Sequence, residues 1–137
     1  MPLPLYLPFD YSHHYTDHSD GLLIPVALQS GQTIHKTFAC IDTGATVCLF
    51  SREVGEILGI EVEQGEYKRL GTLAGGLEAY GHEVGLQTLD IALSSIIYFA
   101  REYGLPRNLL GRIGWLNKLR FGLIEYDRLI YLSQYDG

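Results

Sequence analysis

The chain has 137 residues, 47% of them hydrophobic and 19% charged, which describes one folded domain with a real core. Its net charge of −6, with ten lysines and arginines scattered along it, argues against the basic face that a nucleic-acid partner requires. A membrane helix needs roughly 18 consecutive apolar residues, and the greasiest window, IALSSIIYFA (91–100), is shorter, holds two serines and ends at Arg101.

Residues 1–20 are rich in proline, tyrosine, histidine and aspartate and show no periodicity. They read as an extended arm in which Pro2, Pro4 and Pro8 block ladder pairing. The same prolines, with no basic leader, argue against a signal peptide. Two cysteines, Cys40 and Cys48, make no disulfide framework, so the expected location is cytoplasmic. From residue 22 the pattern turns β-like: LLIPVALQ (22–29) and IHKTFACI (34–41), around the turn SGQT (30–33), predict a hairpin. VCLF (47–50) reads as a short buried strand. SREVGEILG (51–59) reads as a short helix, with Ser51 as its cap, Val54, Ile57 and Leu58 on one face, and Gly59 as its stop.

Residues 60–93 are strand-like and rich in glycine, and Gly75 and Gly76 suggest the tip of a long hairpin. Leu89, Ile91 and Leu93 alternate as in a half-buried strand, and SIIYFARE (95–102) predicts another. PRNLLGRIGWLNKL (106–119) predicts a glycine turn and then a short helix around 114–119. FGLIEY (121–126) and LIYLS (129–133) are the final strands. The expectation is a mostly β domain over residues 21–137 with two short helices, too few for an alternating βαβ fold.

Within this frame FACIDTGATVCLF (38–50) carries one acid, Asp42, inside an almost unbroken apolar run. A buried, unpaired charge is costly and normally finds a partner or changes its pKa. The carboxylate suits acid–base work, the Thr43 hydroxyl can hold the loop, and Gly44 lets the backbone approach another group closely. A lone carboxylate in apolar surroundings tends to protonate, whereas two facing each other can share a single proton.

IDTGATVCLF resembles the active-site loop of the retropepsin-like aspartic proteases, single-lobed relatives of pepsin. The resemblance spans residues 22–133 with its parts in order: a strand pair, Asp-Thr-Gly-Ala (42–45), a glycine-tipped hairpin, then NLLGRIGWL (108–116) and a terminal β segment. It implies a closed β-barrel acid-protease fold and a symmetric homodimer, because the chain has one such loop where pepsin has two. SDG (19–21) and YDG (135–137) lack the apolar strand and the threonine, and are no substitutes. Asp42 is then the catalytic residue, supported by Thr43, Gly44 and Ala45. Leu73, Ala74, Gly75, Gly76 and Leu77 form the flap over a peptide or protein substrate, and Leu109, Leu110, Gly111 and Arg112 are scaffold. No metal or cofactor is needed. Retroviral members often place an acid just after Asp-Thr-Gly-Ala to pair with the later arginine. Here that place holds Thr46, so Arg112 lacks its expected partner.

Simpler readings stand beside these. Asp42 can be a structural aspartate in a turn, Gly75 and Gly76 any hairpin turn, and Leu109–Gly111 plain core packing. HHYTDHSD (13–20) can bind zinc or a similar ion but reads better as a solvated arm. His35 and His82 are isolated, Tyr80 is an ordinary strand residue, and Cys40 and Cys48 read as buried thiols. The leading alternative function is a catalytically inactive dimerisation or peptide-binding module on the same fold.

Overall fold

The computed structural model describes residues 3–16, 21–72 and 75–135. Once past Pro8 the backbone N–H groups can pair again, and Tyr11–His14 form strand β1. Strands β2 (Leu23–Ser30) and β3 (Thr33–Ile41) make the expected hairpin. Its tight turn puts Gly31 at a φ of 57°, which glycine adopts without steric cost. Strand β4 is only Leu49–Phe50. Helix α1 (Arg52–Ile57) follows, its first turn capped by Ser51, whose Oγ accepts from the Val54 N–H at 3.2 Å. A 3-10 turn at Val62–Gln64 leads to β5 (Glu66–Thr72), β6 (Gly75–Thr88) and β7 (Ile91–Ala100). The chain ends in β8 (Leu109–Leu110), a 3-10 turn at Leu116–Lys118, β9 (Leu119–Ile124), a further 3-10 turn at Glu125–Asp127, and β10 (Leu129–Gln134).

Two sheets result, one ordered β1-β10-β9 and one ordered β2-β3-β8-β4-β7-β6-β5. Alternation positions both against a shared interior: Ile24, Val26 and Leu28 of β2 are buried while Pro25 and Gln29 face out. Trp115, Phe50, Phe99, Leu86, Ile97 and Leu110 are fully buried, each worth about 1.5–3 kcal/mol of transfer free energy. A second, smaller cluster joins Val47 and Leu49 to Ala79, Tyr98 and Ala100, with Leu70, Leu77 and Leu109 packed against it.

The fold is mostly β, as expected, but several details differ. It is not a closed barrel. One edge of β6 is shared, pairing with β5 over Gly75–Gly81 and with β2 over Gly85–Thr88, while β7 holds its other edge over Ala79–Thr88. β4 and β8 pair over only one or two residues, so evenly staggered staves, as barrel closure demands, do not form. The expected helix around 114–119 is a single 3-10 turn, because Gly114 has a φ of 106° and Trp115 is not helical. Ile57 is exposed, leaving Val54 and Leu58 as the buried side of α1. Leu89 lies in the β6–β7 turn with a φ of 51° rather than in a strand. The arm is laddered at its far end, where β1 pairs with β10 and the Asp10 N–H donates to Ser133 Oγ at 2.7 Å.

Candidate active site

Asp42 follows directly on β3, and the local backbone explains how an apolar run tolerates it. The carboxylate is half-buried, not sunk in the core, and Thr43 and Gly44 beside it are exposed. Its Oδ1 accepts the Gly44 N–H at 2.9 Å and its carbonyl accepts the Ala45 N–H at 3.1 Å, so the loop closes on the aspartate itself. The Asp42 N–H in turn donates to the Leu110 carbonyl at 2.9 Å.

That last bond belongs to a crossing of two chain segments. β8 runs parallel to β3, with Cys40 beside Leu109 and Ile41 beside Leu110. Beyond it the Arg112 N–H donates to Ala45 O at 2.9 Å and the Ile113 N–H to Thr46 O at 2.8 Å. Gly111 sits where the segments touch: a Cβ placed there would lie 2.2 Å from Val47 O and 2.8 Å from Ala45 O. A close approach of two backbones is why this position is glycine. Behind the crossing, Ser95 Oγ donates to Gly114 O at 2.6 Å and Trp115 Nε1 to Thr88 Oγ1 at 3.1 Å. These polar groups are buried and mutually satisfied.

Asn108 closes the arrangement. Its Oδ1 accepts the Ser51 N–H at 2.9 Å, its Nδ2 donates to Phe38 O at 3.0 Å, and its carbonyl accepts the Cys40 N–H at 2.8 Å. Sequence reasoning passed over this residue; the only signal was a polar side chain directly before Leu109-Leu110-Gly111. Ser95, Thr88 and Trp115 were missed too, since strand and turn residues far apart in sequence announce no shared role.

Both cysteines are buried. The Cys48 Sγ accepts the Gly111 N–H at 3.4 Å, and burial pushes its thiol up to about 11, which leaves it a poor nucleophile.

Of the anticipated flap residues, Gly75 and Gly76 are the exposed first residues of β6, opposite Thr72 and Gly71. They sit in the ladder rather than at the tip, and Leu73 and Ala74 lie outside the described residues. Leu77 is half-buried against the smaller cluster. The hairpin does meet the Asp42 loop: Leu70 and Gly71 line one cavity of about 170 Å³ together with Gly44, Ala45, Thr46 and Leu109. Larger hollows of about 340 and 440 Å³ flank Phe38, which is 61% exposed on β3. The hairpin base carries an exposed polar cluster in which Arg101 pairs with Glu78, and the Tyr67 hydroxyl donates to Glu78 at 3.1 Å. Arg101 and Tyr67 hold the Glu78 carboxyl below the usual carboxylate range.

Arg112 is exposed, and its guanidinium makes no ion pair among the described residues. Among the same residues, no group of three histidine, cysteine or acidic side chains is arranged to hold a metal. Half of the HHYTDHSD stretch, residues 17–20, lies outside them. No described helix is long and apolar enough to cross a membrane.

Comparison with known proteins agrees with this geometry. A family profile described as aspartyl protease matches residues 24–98, more than half of the chain. A retropepsin-like aspartic protease from Rickettsia conorii superposes with a TM-score of 0.60 at 16% identity, covering 89% of this chain and 98% of that one. EIAV protease complexed with the inhibitor HBY-793 superposes with a TM-score of 0.55 at 16% identity, covering 72% of this chain and 88% of that one. At such identity the likeness establishes a shared retropepsin-like fold. No curated protein sequence matches the chain.

Proposed function

Because the chain belongs to the aspartyl protease family, we propose that it is an aspartic endopeptidase working as a symmetric homodimer, with Asp42 of each subunit forming the catalytic pair. One observation carries this reading. The chain contains a single Asp-Thr-Gly, and its carboxylate is held half-exposed at the end of β3 by a crossing segment. That is half of an acid–base pair, presented where a second copy can meet it.

In the dimer one carboxylate takes a proton from a water, whose oxygen bonds to the peptide carbonyl carbon. The protonated twin donates to the carbonyl oxygen. The first aspartate then gives the proton it took to the amide nitrogen as the carbon–nitrogen bond breaks, and the twin takes one back from the diol as the product carboxyl forms. The pair ends sharing one proton again. Neither a covalent intermediate nor a metal takes part. Thr43, Gly44 and Ala45 hold the loop, while Leu73–Leu77 close over an extended peptide and exclude water. Leu109, Leu110, Gly111 and Arg112 brace the loop from behind. The protein acts in the cytoplasm as one domain, residues 21–137, with residues 1–20 as an arm attached through β1.

The test is cleavage of a broad peptide library from acid to neutral pH by wild-type protein and by Asp42→Asn. Wild-type protein should cut and the variant should not, while both sediment as dimers and unfold alike, since asparagine keeps an acceptor for the Gly44 N–H. A wild-type dimer that cuts nothing and binds no statine-type mimic is instead a peptide-binding module.

A further inference from the structure

We propose that Asn108 is a positioning residue for the Asp42 carboxylate, a clasp whose one amide group ties together the two flanks of the catalytic loop. This rests on the endopeptidase reading above. Asp42 lies between Phe38, on the strand β3 that runs on to Ile41, and Ser51, the cap of α1 just after β4. Asn108 reaches both points at once, donating to Phe38 O at 3.0 Å and accepting from the Ser51 N–H at 2.9 Å. Its own carbonyl takes the Cys40 N–H at 2.8 Å, two residues before Asp42.

The chemistry selects asparagine. A backbone carbonyl needs a donor and a backbone N–H needs an acceptor, and a planar carboxamide offers one of each from a single short side chain. The partners also fix which way the amide faces, since the flipped form would set donor against donor and acceptor against acceptor. Aspartate keeps only the acceptor for Ser51, and leucine keeps neither.

Without the clasp, the loop's first half still has the Asp42 N–H bond to Leu110 O, and its second half still has the Arg112 and Ile113 bonds. The spacing between its two flanks then loses this direct link. A symmetric pair of carboxylates sharing a proton is sensitive to such slack because both copies shift together. A displacement of about 1 Å can cost on the order of 100-fold in rate.

The experiment compares wild-type protein with Asn108→Asp, Asn108→Ala and Ile130→Val, the last a buried core variant in the small sheet that shows what lost stability alone does. We expect kcat for peptide cleavage to fall about 10- to 100-fold in both Asn108 variants, with KM changed less than about threefold. The Ile130→Val control should retain its kcat wherever it is folded. Amide exchange should rise within residues 39–51 in Asn108→Ala and stay unchanged in β9 and β10. The inference is overturned if activity merely follows the folded fraction, as in the control, or if exchange in 39–51 does not move. Should wild-type protein cut no peptide, the endopeptidase reading falls, and the exchange measurement alone decides whether Asn108 clasps the loop.

Discussion

The Asp42 crossing and the β5–β6 hairpin face each other across one cavity but are built by opposite means. The crossing is held by backbone: five main-chain groups from Asn108 to Ile113 bond into the segment around Asp42, and Gly111 is pressed against Val47 and Ala45 with no room for a methyl group. The hairpin, beyond its own ladder and the packing of Leu70 and Leu77, is tied near its base by side chains at the surface, Arg101, Glu78 and Tyr67. A charge that must meet a twin needs a fixed origin, whereas a segment that admits a peptide must open. The difference in bonding matches that division of labour.

The sharpest way to break this contrast is one substitution made on both sides of the cavity. Gly111→Ala drives a Cβ to 2.2 Å from a backbone oxygen, so the crossing must spread and the Arg112 and Ile113 bonds lengthen. Overpacking of this kind costs about 1–3 kcal/mol, and a backbone obstacle places it at the upper end or beyond. Gly71→Ala, in the hairpin, meets nothing within 4 Å at an ordinary φ and should change stability by less than about 0.5 kcal/mol. Urea unfolding midpoints of the two variants decide the matter. Equal losses would mean that the crossing is no stiffer than the hairpin.

Ser95→Ala probes the support behind the crossing. It removes the buried donor to Gly114 O, and an orphaned buried carbonyl costs about 1–3 kcal/mol. Because Gly114 leads directly into the 3-10 turn behind Arg112 and Ile113, cleavage should fall more steeply than stability alone explains. A variant that unfolds earlier but cuts at the wild-type rate when folded would confine Ser95 to the core.

How far these regions were legible in the sequence follows from the same contrast. The Asp42 loop announced itself, because a charge within an apolar run has few physical excuses. The β2–β3 turn and the Ser51 cap were equally readable, each being a local signal. The closed barrel failed because one edge of β6 is shared between β5 and β2, and because β4 and β8 pair over only one or two residues; no local pattern records either. The helix near residue 116 failed at Gly114, where a φ of 106° turns the chain out of helical geometry. The arm was over-read from its prolines, since pairing resumes three residues after the last of them. Asn108 was illegible because its partners, Phe38 and Ser51, lie 70 and 57 residues away.

The smallest expected effect concerns the hairpin base and depends on pH. Arg101 first, and Tyr67 second, hold the Glu78 carboxyl below its ordinary range. A carboxyl depressed by folding stabilises above its unfolded pKa, and that contribution fades as pH falls through the lowered folded value. Acidification below about pH 4, the ordinary glutamate value, should therefore loosen the hairpin base while the backbone-held crossing stays shut. Amide exchange, corrected for its intrinsic pH dependence, should rise across residues 66–81 and not across 109–113. Raising the salt at neutral pH should act in the same direction, because exposed charges are screened over about 10 Å at 0.1 M. In Arg101→Ala the pair is already gone, so exchange there should be high at neutral pH and respond less to acid. If acid raised exchange equally in both regions, or if Arg101→Ala kept the full wild-type response, the ion pair would not be what ties the hairpin down, and its own ladder would have to be sufficient.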